Sequence, residues 1–134
     1  MSVVIVPCSG IGKTYGTVTR EAAYQVVEEL CPGKTQIVPL SLLVLGDPEA
    51  QAMVRTSPMV ITLDGCKLAC ATVNVSRAGG TVTRAFTVLD CYRRHKDMKP
   101  QGIAELNAGG LALAQALAAE VAQAVDALDE TATN

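Results

Sequence analysis

The sequence predicts an α/β fold: a three-layer, mostly parallel four-stranded sheet with helices on both faces, Rossmann-like or flavodoxin-like in type. Three observations predict it. Short β-branched runs alternate along the chain with longer segments of helical periodicity. Apolar residues make up 49% of the chain but include one Phe, three Tyr and no Trp, so Val, Leu, Ile and Ala must build the core. At 134 residues the chain suffices for one domain and is too short for two.

Strands are expected at residues 2–6, 35–40, 59–63 and 82–89, each short and dominated by β-branched or other apolar residues. The helix predicted over 17–30 gathers Ala23, Val26, Val27 and Leu30 on one face. Cys31-Pro32-Gly33 then stops it, with Gly33 available for a left-handed cap. A second helix over 47–55 has Pro48 in its first turn, where a missing N–H costs nothing. A third, over 66–77, is stopped by Gly79 and Gly80. The last, over 111–128, carries the stripe Leu113, Leu117, Val121, Ala124 and Val125. Strand and helix alternate throughout, and parallel neighbours need crossovers that are usually helical, hence the parallel sheet. Residues 91–110 are the least regular. The single domain is expected over 1–128, with 129–134 a disordered, frayed tail. No internal repeat is present.

A formal charge of −2 and scattered basic residues, apart from Arg93, Arg94, His95 and Lys96, argue against nucleic acid as a partner. The first apolar stretch has no basic leader and no small-residue cleavage pattern, so it reads as a strand and not a signal peptide. Gln115, Glu120, Gln123 and Asp126 interrupt the long apolar segment 111–128, which argues against a membrane span. A cytoplasmic protein is the expectation. Its five cysteines are then reduced, and spaced thiols in that setting point to metal or redox chemistry before disulfides.

The stretch "VVIVPCSGIGKTYG", residues 3–16, raises two loop chemistries. Gly12, Lys13 and Thr14 match the end of a phosphate-loop pattern, but the position of its first glycine holds Pro7. Gly10 and Gly12 equally suit a tight strand-to-helix turn. Alternatively, Cys8 is a phosphate nucleophile. A tyrosine-phosphatase loop would require an arginine six residues on, where Thr14 stands. A phosphocysteine loop like that of sugar-phosphotransferase B subunits needs none. In either case Ser9, Gly10, Gly12 and Lys13 would wall an anion or substrate pocket.

Ligands of a parallel sheet sit at the carboxyl ends of its strands. Cys8 follows the first predicted strand, Cys66 and Cys70 the third and Cys91 the fourth, so these four are expected to converge. Cys31 falls at the opposite edge and reads as a small apolar residue. "LDGCKLACA", residues 63–71, is the strongest local signal. Cys66 and Cys70 are expected one turn apart on the first turn of a helix, whose N-terminus favours a thiolate at Cys66. Asp64 is read as the helix cap, or as an acceptor behind the metal ligands. Soft thiolates select zinc, copper(I) or an iron–sulfur centre. His95, four residues after Cys91, is either a ligand or base beside that thiol or a solvated side chain.

Together, "PCSGIGK", "DGCKLACA", "GDPEA" and "TVLDCYRRHKDMKP" resemble the DGC-domain family over most of the chain. Zinc binding in that family is inferred from its cysteines, and its biochemical role is unassigned. The resemblance implies ligands at Cys8, Cys66 and Cys70. The family's fourth cysteine falls at the end of the second strand, where this chain has "VPLS" with Pro39, so the expectation is a three-cysteine core whose fourth place is open to Cys91, a water, a substrate or nothing.

The expected protein therefore binds a metal ion, zinc before iron or copper, at the sheet's carboxyl edge, and leaves room for a small-molecule substrate. Whether it is an enzyme stays open. The alternative is a metal-free thiol enzyme or carrier, with phosphocysteine or persulfide chemistry at Cys8 or a Cys66/Cys70 disulfide. A third reading is an interaction module with spectator cysteines. The alanines of the last helix allow packing on its own sheet or on a second copy in a homo-oligomer.

Overall fold

The structure is a computed structural model that describes the backbone of residues 2–133 and the side chains of residues 2–128. The expectation of a tail at 129–134 bears on residues outside the side chains described. The strands are β1 (Val3–Pro7), β2 (Thr35–Ile37), β3 (Val60–Asp64) and β4 (Arg84–Thr87). The helices are α1 (Thr14–Gln25, continued by a π-helical turn Val26–Leu30), α2 (Leu40–Leu45), α3 (Pro48–Thr56), α4 (Cys70–Arg77), α5 (Val88–Arg94) and α6 (Ala108–Thr133).

The four strands form one sheet in the order β2-β1-β3-β4, and every pairing is parallel. Period-2 alternation divides the side chains between two buried faces. Val3, Ile5, Ile61 and Leu63 pack under α1, α5 and α6, against residues such as Val18, Ala22, Val88, Leu113 and Leu117. Val4, Val6 and Val60 pack under α2, α3 and α4, against Leu43, Ala50, Val54, Ala71 and Val75. This is the expected three-layer α/β arrangement. Chain order places β2 on one side of β1 and β3 on the other, so the crossover from β1 to β2 and the one from β2 back past β1 to β3 run in opposite directions. The crevice beyond the carboxyl ends of β1 and β3 is the topological switch point, where such sheets hold ligands.

Several elements depart from expectation for local reasons. The second strand, expected over 35–40, stops at Ile37. Val38 N–H still donates to Ile5 O at 3.0 Å, but Pro39 has no N–H for the ladder. The apolar run after it forms α2, which the sequence reading missed. Pro39 caps its start, and Gly46, at φ 84°, ends it with N–H bonds to Leu42 O and Leu43 O. The run 82–89 divides because Thr87 Oγ1 accepts the Asp90 N–H at 3.0 Å, which starts α5 inside the expected strand.

α6 has the length and hydropathy of a membrane span over Ala108–Leu128, with a mean hydropathy of 1.3. Leu113, Ala114, Leu117, Ala118, Val121, Ala124 and Val125 are all buried in the core, so it packs as a core helix of its own domain, chiefly against α1 and α5.

Candidate metal centre

β1 delivers Cys8 to the switch point. The loop that follows is bent by Ser9 at φ 53° and Gly12 at φ 85°, and closes on itself when Lys13 N–H donates to Gly10 O at 3.2 Å. It is anchored to α1. Thr19 Oγ1, fully buried, accepts the Ser9 N–H at 3.1 Å and donates to Gly16 O at 2.7 Å. Arg20 donates to Ser9 O at 3.4 Å and to Ser9 Oγ at 3.1 Å. Neither Thr19 nor Arg20 figured in the sequence reading. Their signal lies in "TVTR", where a hydroxyl and a guanidinium on one turn of α1 face back to the loop. The loop lies so close on α1 that a Cβ at Gly16 would stand 2.3 Å from Gly10 O, so only glycine fits there. With two of its amides engaged inside the fold, the loop is first a strand-to-helix turn.

The Cys8 sulfur accepts a hydrogen bond from Gly65 N–H at 3.3 Å and lies 3.6 Å from Thr19 Oγ1. Because the Thr19 hydroxyl proton goes to Gly16 O, a protonated Cys8 donates to Thr19. The thiol is thus tied to both β1's own loop and the segment after β3.

That segment corrects the helix expected over 66–77. Cys66 stands in a turn whose Ala69 N–H donates to Cys66 O at 3.1 Å, Ala69 is left-handed at φ 54°, and α4 begins only at Cys70. Cys66 and Cys70 are therefore not helical neighbours on a first turn. The turn forms because Asp64 reaches past it. Its buried carboxylate accepts Ala71 N–H at 2.7 Å, Thr72 N–H at 3.2 Å and Thr72 Oγ1–H at 2.7 Å, capping α4 from six residues upstream. Thr72 Oγ1 in turn accepts from Thr62 Oγ1 at 2.8 Å. Asp64 is the cap; its oxygens are occupied by α4.

Cys8, Cys66 and Cys70 line one cavity of 570 Å³, together with Asp64, Gly10, Lys13 and the apolar rim residues Ile11 and Leu68. Gly65 lets α1 approach closely: a Cβ there would stand 3.0 Å from Tyr15 Cβ. Cys66 and Cys70 are exposed and Cys8 half-buried. A second cavity of 830 Å³, lined by Ser9, Arg20, Tyr24 and Pro39, opens on the other side of Cys8.

Cys91 is not brought to this cavity. It follows β4 by one helical turn, points into the α1/α6 core and is fully buried. Its S–H donates to Glu120 Oε2 at 3.2 Å, while Glu120 Oε1 pairs with Arg94. The ligand atoms of Cys91, His95 and Glu120 all lie within 4.8 Å of one another, the only such trio of Cys, His and acidic side chains among the described residues. The sulfurs of Cys8, Cys66 and Cys70 do not all close to that spacing. Cys31 lies at the opposite edge, as expected, and is buried in the core.

The family-model comparison matches the description "DGC domain" over residues 4–125. The chain belongs to the DGC-domain family. No curated protein and no solved structure is detectably similar to it. In this chain Cys8, Cys66 and Cys70 line the switch-point cavity, and Cys91 is set apart on the other face of the sheet.

Burial, with the hydrogen bond and negative charge of Glu120 next in weight, pushes the Cys91 thiol from its ordinary 9.0 up to about 12. The folded state therefore keeps a proton that the unfolded chain releases above about pH 9. The stability it contributes is fully present below about pH 9 and is lost as pH rises towards about 12. Urea midpoints of metal-stripped protein should fall across that window, and less steeply in Cys91→Ala.

Proposed function

We propose that this DGC domain binds a transition-metal ion, zinc before copper(I) or iron, through Cys8, Cys66 and Cys70. One observation carries the reading: three thiols from the end of β1, the turn after β3 and the first residue of α4 line the same cavity. The donor set fits a soft ion. Asp64 is occupied as a cap, which leaves sulfur as the available chemistry, and thiolates select zinc, copper(I) or iron–sulfur centres. The exposed side chains of Cys66 and Cys70 can turn towards Cys8 to close the spacing. A bound zinc ion would supply Lewis acidity, and three protein ligands would leave one position for water or a small substrate. Lys13 on the same cavity favours an anionic one. The five unpaired cysteines suit a reducing, cytoplasmic setting.

A metal-free thiol carrier is the second reading, favoured by the Gly65 N–H aimed at the Cys8 sulfur and by the cavities on both sides of it. Metal analysis of protein purified without added zinc, with thiol titration before and after chelation, separates the two. We expect bound metal, an increase in reactive thiols on chelation that maps to Cys8, Cys66 and Cys70, and loss of that ion in the triple Cys→Ser variant. Protein without metal, in which Cys8 alone alkylates rapidly, would establish the carrier reading instead.

A further inference from the structure

We propose that Cys91, His95 and Glu120 form a second metal site, between α5 and α6 and independent of the cavity. Cys91 and His95 are one helical turn apart, the first within α5 and the second as its C-terminal cap. Residues at that spacing share a helix face. Glu120 comes from the middle of α6, and the three ligand atoms lie within 4.8 Å of one another. Ligands about 2.0–2.3 Å from a tetrahedral ion are separated by roughly 3.3–3.8 Å, so the trio need contract by only about 1 Å.

A thiol–carboxylate hydrogen bond accounts for Cys91 and Glu120 but gives no reason for an imidazole to complete the triangle. Arg94 fits the position of an outer partner: it pairs with Glu120 Oε1 and leaves Oε2 directed at Cys91. None of the three lines the cavity of Cys8, Cys66 and Cys70.

One sulfur, one nitrogen and one oxygen make a borderline donor set, which suits divalent zinc or cobalt better than copper(I) or an iron–sulfur cluster. On binding, the metal–sulfur bond replaces the Cys91 S–H bond and the proton leaves to solvent. Thiolate and carboxylate balance the ion's two charges, and no electron changes hands. Such an ion would link α5 to α6 and so fix the loop that joins them.

Cobalt(II) tests this in the full chain, because its thiolate charge-transfer absorption reports sulfur ligation and metal analysis counts the ions. With Cys8, Cys66 and Cys70 all replaced by serine, the absorption and one ion should remain, and both should be lost when His95→Gln is added. Arg94→Gln in the same background should weaken binding by about tenfold or more. Circular dichroism confirms that each variant is folded; if the triple variant is not, Cys91→Ser in the otherwise unchanged chain should remove one of two ions. Two ions in the unaltered protein support both sites. One ion that survives the triple replacement and needs His95 supports this site and removes the cavity reading. One ion lost in the triple replacement overturns this site and leaves the cavity reading standing, and absence of cobalt throughout overturns both.

Discussion

Asp64→Ala should lower stability by about 3 kcal/mol, or the melting temperature by roughly 10 °C, measured by urea and thermal denaturation. The carboxylate is 2% exposed and accepts three hydrogen bonds from Ala71 and Thr72. Removing it leaves buried donors at the start of α4 without an acceptor, and hydrogen bonds to a charged group each contribute about 1.5–3 kcal/mol. The same change frees the first residue of α4, which is Cys70, so metal affinity at the cavity should fall with stability. Asp64→Asn should recover only part of the loss. Its single carbonyl oxygen can serve Ala71 N–H, but its amide then faces the Thr72 N–H, donor against donor. Equal stability of Asp64→Ala and the parent protein would show that the cap does not hold this turn.

Gly16→Ala should separate loop geometry from global stability. The added Cβ would stand 2.3 Å from Gly10 O, 2.5 Å from Gly10 N and 2.7 Å from Gly10 Cα, all backbone atoms that no rotamer can move aside. Overpacking of this kind costs about 1–3 kcal/mol. Thr19 and Arg20 hold Ser9 to α1, so the displaced loop must carry Cys8 with it. The expected result is a folded protein of lowered stability whose metal binding at the cavity is lost. Gly33→Ala is the control. Gly33 sits at φ 77° with nothing within 4 Å of its Cβ position, so strain alone lowers stability, by about 1 kcal/mol, while metal binding persists. Unchanged metal affinity in Gly16→Ala would mean that the loop does not position Cys8.

The parts of the fold legible in the sequence were those set by local patterning. β1, β3, α3 and the apolar stripe of α6 fell close to expectation because β-branched runs and helical periodicity act over a few residues. What escaped were single interactions at boundaries. Pro39 turns the end of an apolar run into α2, Thr87 starts α5 inside another, and Asp64 moves the start of α4 past Cys66. Each is a one-residue decision between conformations that the same apolar run would accept, so composition and period do not register it.

Local patterning and motifs suffice for membership of the DGC-domain family and for the α/β layering, and they put Cys8, Cys66 and Cys70 after strands with a common carboxyl edge, because strand direction is set by the crossovers. Which thiols open onto one cavity is settled by the packing of the layers. Cys91 also follows a strand of that edge, but one turn of α5 rotates its side chain into the core, beside His95 and the carboxylate of Glu120, which lies 26 residues beyond Arg94 in the chain. Helical rotation over a few residues, and the packing of α6 on α5, are properties of the assembled layers, and no local pattern encodes which thiols will line a common cavity.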